Sequence, residues 1–78
     1  MNKTWANVHY VTNIVRDDEE GWIALELARQ AEPTTEPAAR IVFWDAEGQF
    51  AFEMCAKEIP LSIVEEFIAE AKHTIKVG

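Results

Sequence analysis

The side chains that could do chemistry near neutral pH are few: two histidines, His9 and His73, and one cysteine, Cys55. General acid–base catalysis needs such a group within hydrogen-bond reach of a partner. His9 falls on the outward parity of an alternating segment, and His73 lies near the exposed end of a helical one. Glu70 precedes His73 by one helical turn, an ordinary surface pairing. Cys55 has no local nucleophile signature and reads as a small apolar residue at a strand end or interface. The run Asp17-Asp18-Glu19-Glu20-Gly21 is the nearest approach to a cation loop. It lacks the alternating Asp/Asn spacing and distal glutamate that calcium loops use, so it reads as a solvated turn. Gly21, Gly48 and Gly78 are too scattered for a phosphate-cradling loop, and no Cys/His cluster suits zinc. The expectation is a protein that is not an enzyme, with no catalytic residue, no cofactor and no metal.

What remains is aromatic surface, and its placement depends on the elements that carry it. Residues 4 to 16 alternate with period two. Ala6, Val8, Tyr10, Thr12 and Ile14 share one parity; Trp5, Asn7, His9, Val11, Asn13 and Val15 share the other. This predicts one strand with the first set facing the core. Residues 22 to 29 alternate Ile23, Leu25 and Leu27 with Ala24, Glu26 and Ala28, which predicts a second strand after the acidic turn. The same residues form helices well, and a helix there would give a β-α-β-β-α chain. Gly21 in that helix's first turns speaks against it. Residues 30 to 39 carry Pro33, Thr34, Thr35 and Pro37 and read as an exposed loop. Residues 40 to 55 read as a hairpin, with Phe50, Phe52 and Met54 inward and Ala51, Glu53 and Cys55 outward.

From Ile59 the pattern turns helical. Pro60 suits the start, Ser62 and Glu65 fit a capping box, and Val64, Phe67, Ile68, Ala71 and Ile75 form one apolar stripe. Acids early (Glu65, Glu66, Glu70) and bases late (Lys72, His73, Lys76) complement the helix dipole. The fold class is therefore α+β. One domain spans residues 1–78: an antiparallel four-stranded meander followed by one C-terminal helix packed on one face.

One helix covers one face of a sheet. The other face is then expected to carry Trp5, Trp22, Val42 and Trp44, beside Val11, Ala24 and Ala51. That set is the candidate interface or partner-binding site, because contiguous exposed apolar patches are unusual on monomers. A chain of 78 residues buries only a marginal core, and one cysteine forbids an internal disulfide. Association is the remaining source of stability, which predicts a homodimer built sheet to sheet, or a protein partner in its place. Such a face could also serve as a platform for bases, peptides or an apolar ligand. The formal charge is −7, and no two of the seven Lys and Arg residues lie closer than four positions apart. Phosphate binding needs clustered bases, so nucleic acid is not the expected partner, and the acidity disfavours anionic membranes. The first residues lack the apolar run of a signal peptide and no stretch is apolar enough to span a bilayer, so a cytoplasmic setting is expected.

The passage from Phe50-Ala51-Phe52-Glu53-Met54 through Ile59-Pro60-Leu61 to Val64-Glu65-Glu66-Phe67 resembles PUR repeats and Whirly-type domains. In those families an apolar strand likewise leads through an Ile-Pro step into a helix. The resemblance covers about a third of the chain. It implies a β-β-β-β-α fold, dimerisation, and single-stranded nucleic acid bound on the sheet. This chain departs from the pattern in its acidity and its few outward bases, of which Arg40 is the clearest. The expected function is a small interaction module, a homodimeric regulator or accessory protein. The alternative is a PUR-like single-strand binder.

Overall fold

The computed structural model describes residues 1–56 and 58–75. Five strands precede one helix: β1 (Asn2–Trp5), β2 (Val8–Asp17), β3 (Trp22–Ala31), β4 (Thr34–Trp44), β5 (Gln49–Met54) and α1 (Leu61–Thr74). The strands form one antiparallel sheet in sequence order, β1-β2-β3-β4-β5. The α+β class and the helix on one face stand as expected, and residues 22 to 29 are strand, which removes the β-α-β-β-α alternative.

The strand count differs because the first alternating segment is two strands. Ala6 (φ 48°) and Asn7 (φ 68°) both adopt positive φ, the geometry of a two-residue hairpin turn. The turn reverses the chain and resets which residues share a face. Trp5 lies opposite Val8 and Lys3 opposite Tyr10. Directly opposed residues project from the same face, so Trp5 and Lys3 join the helix side with Val8 and Tyr10. Lys3 confirms this by reaching Glu66 of α1 at 2.9 Å. Ala6, expected inward, is an exposed turn residue.

Residues 30 to 39 are not a loop. β3 continues to Ala31, a tight turn through a cis Glu32–Pro33 bond follows, and β4 begins at Thr34. Proline is tolerated here because β5 pairs with β4 only from Ala39 onward, so Pro37 has a free edge beside it. A bulge between Leu27 and Ala28 accommodates the extra residue Ala38, whose carbonyl accepts the amides of Cys55 and Ala56 at 2.8 and 3.0 Å.

The core lies between α1 and the middle of the sheet. Tyr10, Leu25, Leu27, Ala39, Ile41 and Phe43 meet Ile59, Ile63, Phe67, Ala71 and Ile75. The helix presents Ile63, Phe67 and Ala71, spaced by four, so the stripe is rotated from the expected one. Ile63 replaces Ile68, which is exposed, while Val64 is partly buried. The capping box does not form. The helix begins at Leu61, one residue before Ser62, and among the described residues no side chain caps it. The Pro60 carbonyl instead accepts the amides of Ile63 and Val64 at 3.0 and 3.1 Å. Phe50, Phe52 and Met54 face the helix side as expected, but Phe52 and Met54 are largely exposed.

Candidate functional site

Among the described residues, no element covers the face of the sheet opposite α1. The register orders its side chains into cross-strand rows. Asp17, Trp22, Trp44 and Gln49 form the first; Val15, Ala24, Val42 and Ala51 the second; Asn13, Glu26, Arg40 and Glu53 the third. Beyond the bulge, Val11, Ala28 and Pro37 border a shallow concavity of about 610 Å³ that also touches Arg40, Glu53 and Cys55.

Trp22 and Trp44 are a directly opposed pair with ring centroids 6.3 Å apart at a tilt of 58°. Such tilted pairs add to the stability from burial because ring edges and faces carry opposite partial charge. Arg40 is opposite Glu26, four residues along β3 from Trp22, a backbone separation of roughly 13 Å. Its guanidinium nevertheless sits 5.5 Å from the Trp22 ring centroid. Two long side chains therefore lean toward each other across the second row. This explains why Ala24 and Val42, expected to lie open, are only 0% and 2% exposed. The face partly closes over itself by a cation–π contact. The Arg40 Nε also donates to the Glu53 carboxylate at 2.5 Å.

Of the four residues expected to share this face, Trp22, Val42 and Trp44 come together on it. Trp5 does not: the turn at Ala6 and Asn7 places it on the helix side, on the edge strand β1. Charge collects at one end. The turns after β2 and β4 carry Asp18, Glu19, Glu20, Asp45 and Glu47. They are tied together by the Asp45 amide donating to the Gly21 carbonyl at 3.0 Å, next to the tryptophan pair. Inside the first turn the Asp17 carboxylate accepts the Glu19 and Glu20 amides at 3.1 and 3.0 Å. This occupies one of the oxygens that a cation would need. His9 pairs with Thr4, Nδ1 to Oγ1 at 2.9 Å, and Cys55 is exposed at the end of β5. Among the described residues no group of three or more His, Cys, Asp and Glu has metal-holding geometry. None of the described helices is long and apolar enough to cross a membrane.

A second apolar surface was not anticipated from the sequence. On the helix side, a groove of about 200 Å³ runs between β5 and α1, bounded by Ile41, Phe50, Phe52, Ile68, Ala71 and Lys72. Phe52, Met54, Leu61 and Ile68 are all exposed there or on the same helix flank. The signal was present in the helix: Leu61 and Ile68 are seven apart and so share a face that the expected stripe only partly used. No family model matches the chain, and no curated protein or solved structure matches it.

Proposed function

We propose that this protein is a small non-enzymatic protein-interaction module, homodimeric, that acts as a regulator or accessory subunit and offers its open sheet face to a partner. The observation that carries the reading is that face itself. Trp22, Val42 and Trp44 stand on an antiparallel sheet, away from α1, with Arg40 beside them and carboxylates in the adjacent turns. Paired aromatics with a neighbouring arginine are the residue types that dominate protein–protein contacts, and placing them on strands fixes them without loop ordering cost. The charge pattern supports a protein rather than a nucleic-acid partner. Arg40 is the one Lys or Arg at an outward sheet position among the described residues, and Glu53 already holds it.

The test compares the wild type with Trp44→Glu, whose side chain is outward and only half-buried. The variant should keep its circular dichroism spectrum. The wild type should retain a discrete protein from cell extract that the variant loses. Equal retention by both would remove the open face from the function. Micromolar binding of single-stranded DNA with a steep salt dependence would replace the reading with the PUR-like one.

A further inference from the structure

We infer that the second copy of the homodimer docks at the free edge of β5, extending the two sheets into one of ten strands. This rests on the homodimeric part of the proposed function and leaves the tryptophan face unoccupied.

Sheet edges are templates for strand addition unless something guards them. The free stretches of this sheet differ in that respect. β1 is four residues long, and its Lys3 is drawn to Glu66. The part of β2 beyond β1 carries Arg16 and Asp17, and the overhang of β4 carries Glu36 and Pro37. β5 has no proline, no lysine and no bulge, and its single charge, Glu53, is tied to Arg40. Its helix-side residues are exposed and apolar, as Trp5 (48%) and Ile14 (38%) also are at the opposite edge. Phe52 is 45% and Met54 51% exposed, and on the adjoining flank of α1 Leu61 is 73% and Ile68 37% exposed.

The β5 sequence is complementary to itself. A two-fold axis that keeps both helices on one side of the joined sheet must oppose residues of like parity. Centred on Phe52, it sets Phe50 against Met54 of the other copy and Ala51 against Glu53, with Gln49 reaching Cys55. Every helix-side pair is then apolar, and each Glu53 meets an alanine. Centred on Glu53, the axis would juxtapose two carboxylates, and fewer residues would overlap. In the Phe52 register, Met54 of one copy lies at the Phe50 end of the other's groove, where Ile68, Ala71 and Lys72 form the walls. The seam is five residues of β5, 50–54, roughly 17 Å long, on a molecule 20 Å thick. That footprint lies at the low end of specific interfaces, so the dimer is concentration-dependent rather than permanent.

Ala51 gives a test that a general loss of stability cannot mimic, because it is exposed and faces away from the helix. Sedimentation equilibrium over micromolar to sub-millimolar concentrations should show a wild-type dimer. Ala51→Glu sets two like-charge pairs against Glu53 of the opposite copy and should raise the dimer Kd by roughly fivefold to twentyfold. Ala51→Lys creates two opposite-charge pairs and should lower it a few-fold, an effect that added salt removes. Trp44→Glu should leave the dimer intact. Equal weakening by both Ala51 variants would overturn the Phe52 register, and a wild-type monomer throughout would overturn the edge contact. A dimer that Trp44→Glu separates and Ala51→Glu does not would also overturn it, and would place self-association on the open face. A monomeric wild type that still loses its partner on Trp44→Glu would spare the interaction reading.

Discussion

Phe67 is the residue on which the described core turns, and Phe67→Ala is the perturbation that examines it. The ring is fully buried at the middle of α1 and meets Phe52 edge-on with centroids 6.3 Å apart. Ile63 and Ala71, one turn to either side, are buried with it. Truncating a buried phenylalanine removes its transfer free energy and leaves a cavity, together about 3–5 kcal/mol. A chain of 78 residues has a total stability of roughly 4–12 kcal/mol, so the variant should stand at or near the unfolding threshold. Phe67→Leu fills most of the same space and should lose only about 1–2 kcal/mol, which keeps a measurable folded state. Ile68→Ala is the control. Its side chain is more than a third exposed at the groove, so its loss should be about 1 kcal/mol. Urea unfolding followed by far-ultraviolet circular dichroism gives all three values. An Ile68→Ala cost equal to that of Phe67→Ala would mean that the helix sits rotated toward the Val64–Ile68 stripe, and the packing described above would be wrong.

Two further outcomes follow from particular contacts. Ala6→Gly should stabilise the protein by about 0.5–1 kcal/mol, since Ala6 holds a positive φ that glycine adopts freely; a destabilised variant in thermal unfolding would argue against the hairpin turn there. Arg40→Ala removes both the cation over Trp22 and the ion pair to Glu53, and should cost about 1–2 kcal/mol. It should also shift tryptophan emission to longer wavelength as the second row opens, and an unchanged spectrum would refute the covering role assigned to Arg40.

Period-two patterning carried most of the sheet into view. Ile23, Leu25 and Leu27 mark β3, and the Ile41 and Phe43 alternation marks the core half of β4, because one buried face imposes a strict parity. The parity failed where a turn lacked its usual residues. Ala6-Asn7 is a weak signal for a two-residue hairpin beside Asn-Gly, so residues 4 to 16 read as continuous, which puts Trp5 on the wrong side. Pro33 and Pro37 hid the start of β4 for a different reason. Proline opposes strand only where its missing amide is needed, and whether an edge is free depends on where β5 ends, which is tertiary information. Ser62 and Glu65 match a capping box in spacing, but with Pro60 as N-cap the helix starts two residues too early for that box to close. For the site, Trp22, Val42 and Trp44 were legible as outward residues, whereas the cover supplied by Arg40 depends on two side chains leaning together across a row.

The uncovered β5 flank follows from widths. Five strands about 4.8 Å apart make a sheet roughly 20 Å across, while a helix with its side chains is about 10 Å wide. α1 lies over β3 and β4, where Leu25, Leu27, Ile41 and Phe43 are buried, so both flanks of the helix side project beyond it. The two flanks end differently. On the β1–β2 side Trp5 and Ile14 are exposed too, but polar groups there bridge sheet and helix. The Met1 ammonium meets the Glu70 carboxylate at 2.6 Å, and the Thr12 hydroxyl donates to the same carboxylate at 2.7 Å. The Lys3 ammonium holds Glu66. On the β5 side the corresponding positions are Phe52, Met54, Leu61 and Ile68, which can form no such bridge. Apolar groups at a seam are stabilised only by being covered. The same helix that leaves the tryptophan face free therefore also leaves its β5 flank in need of a second surface. A copy of β5, docked as proposed, would supply that surface with matched length, matched backbone hydrogen bonding and no opposed like charges.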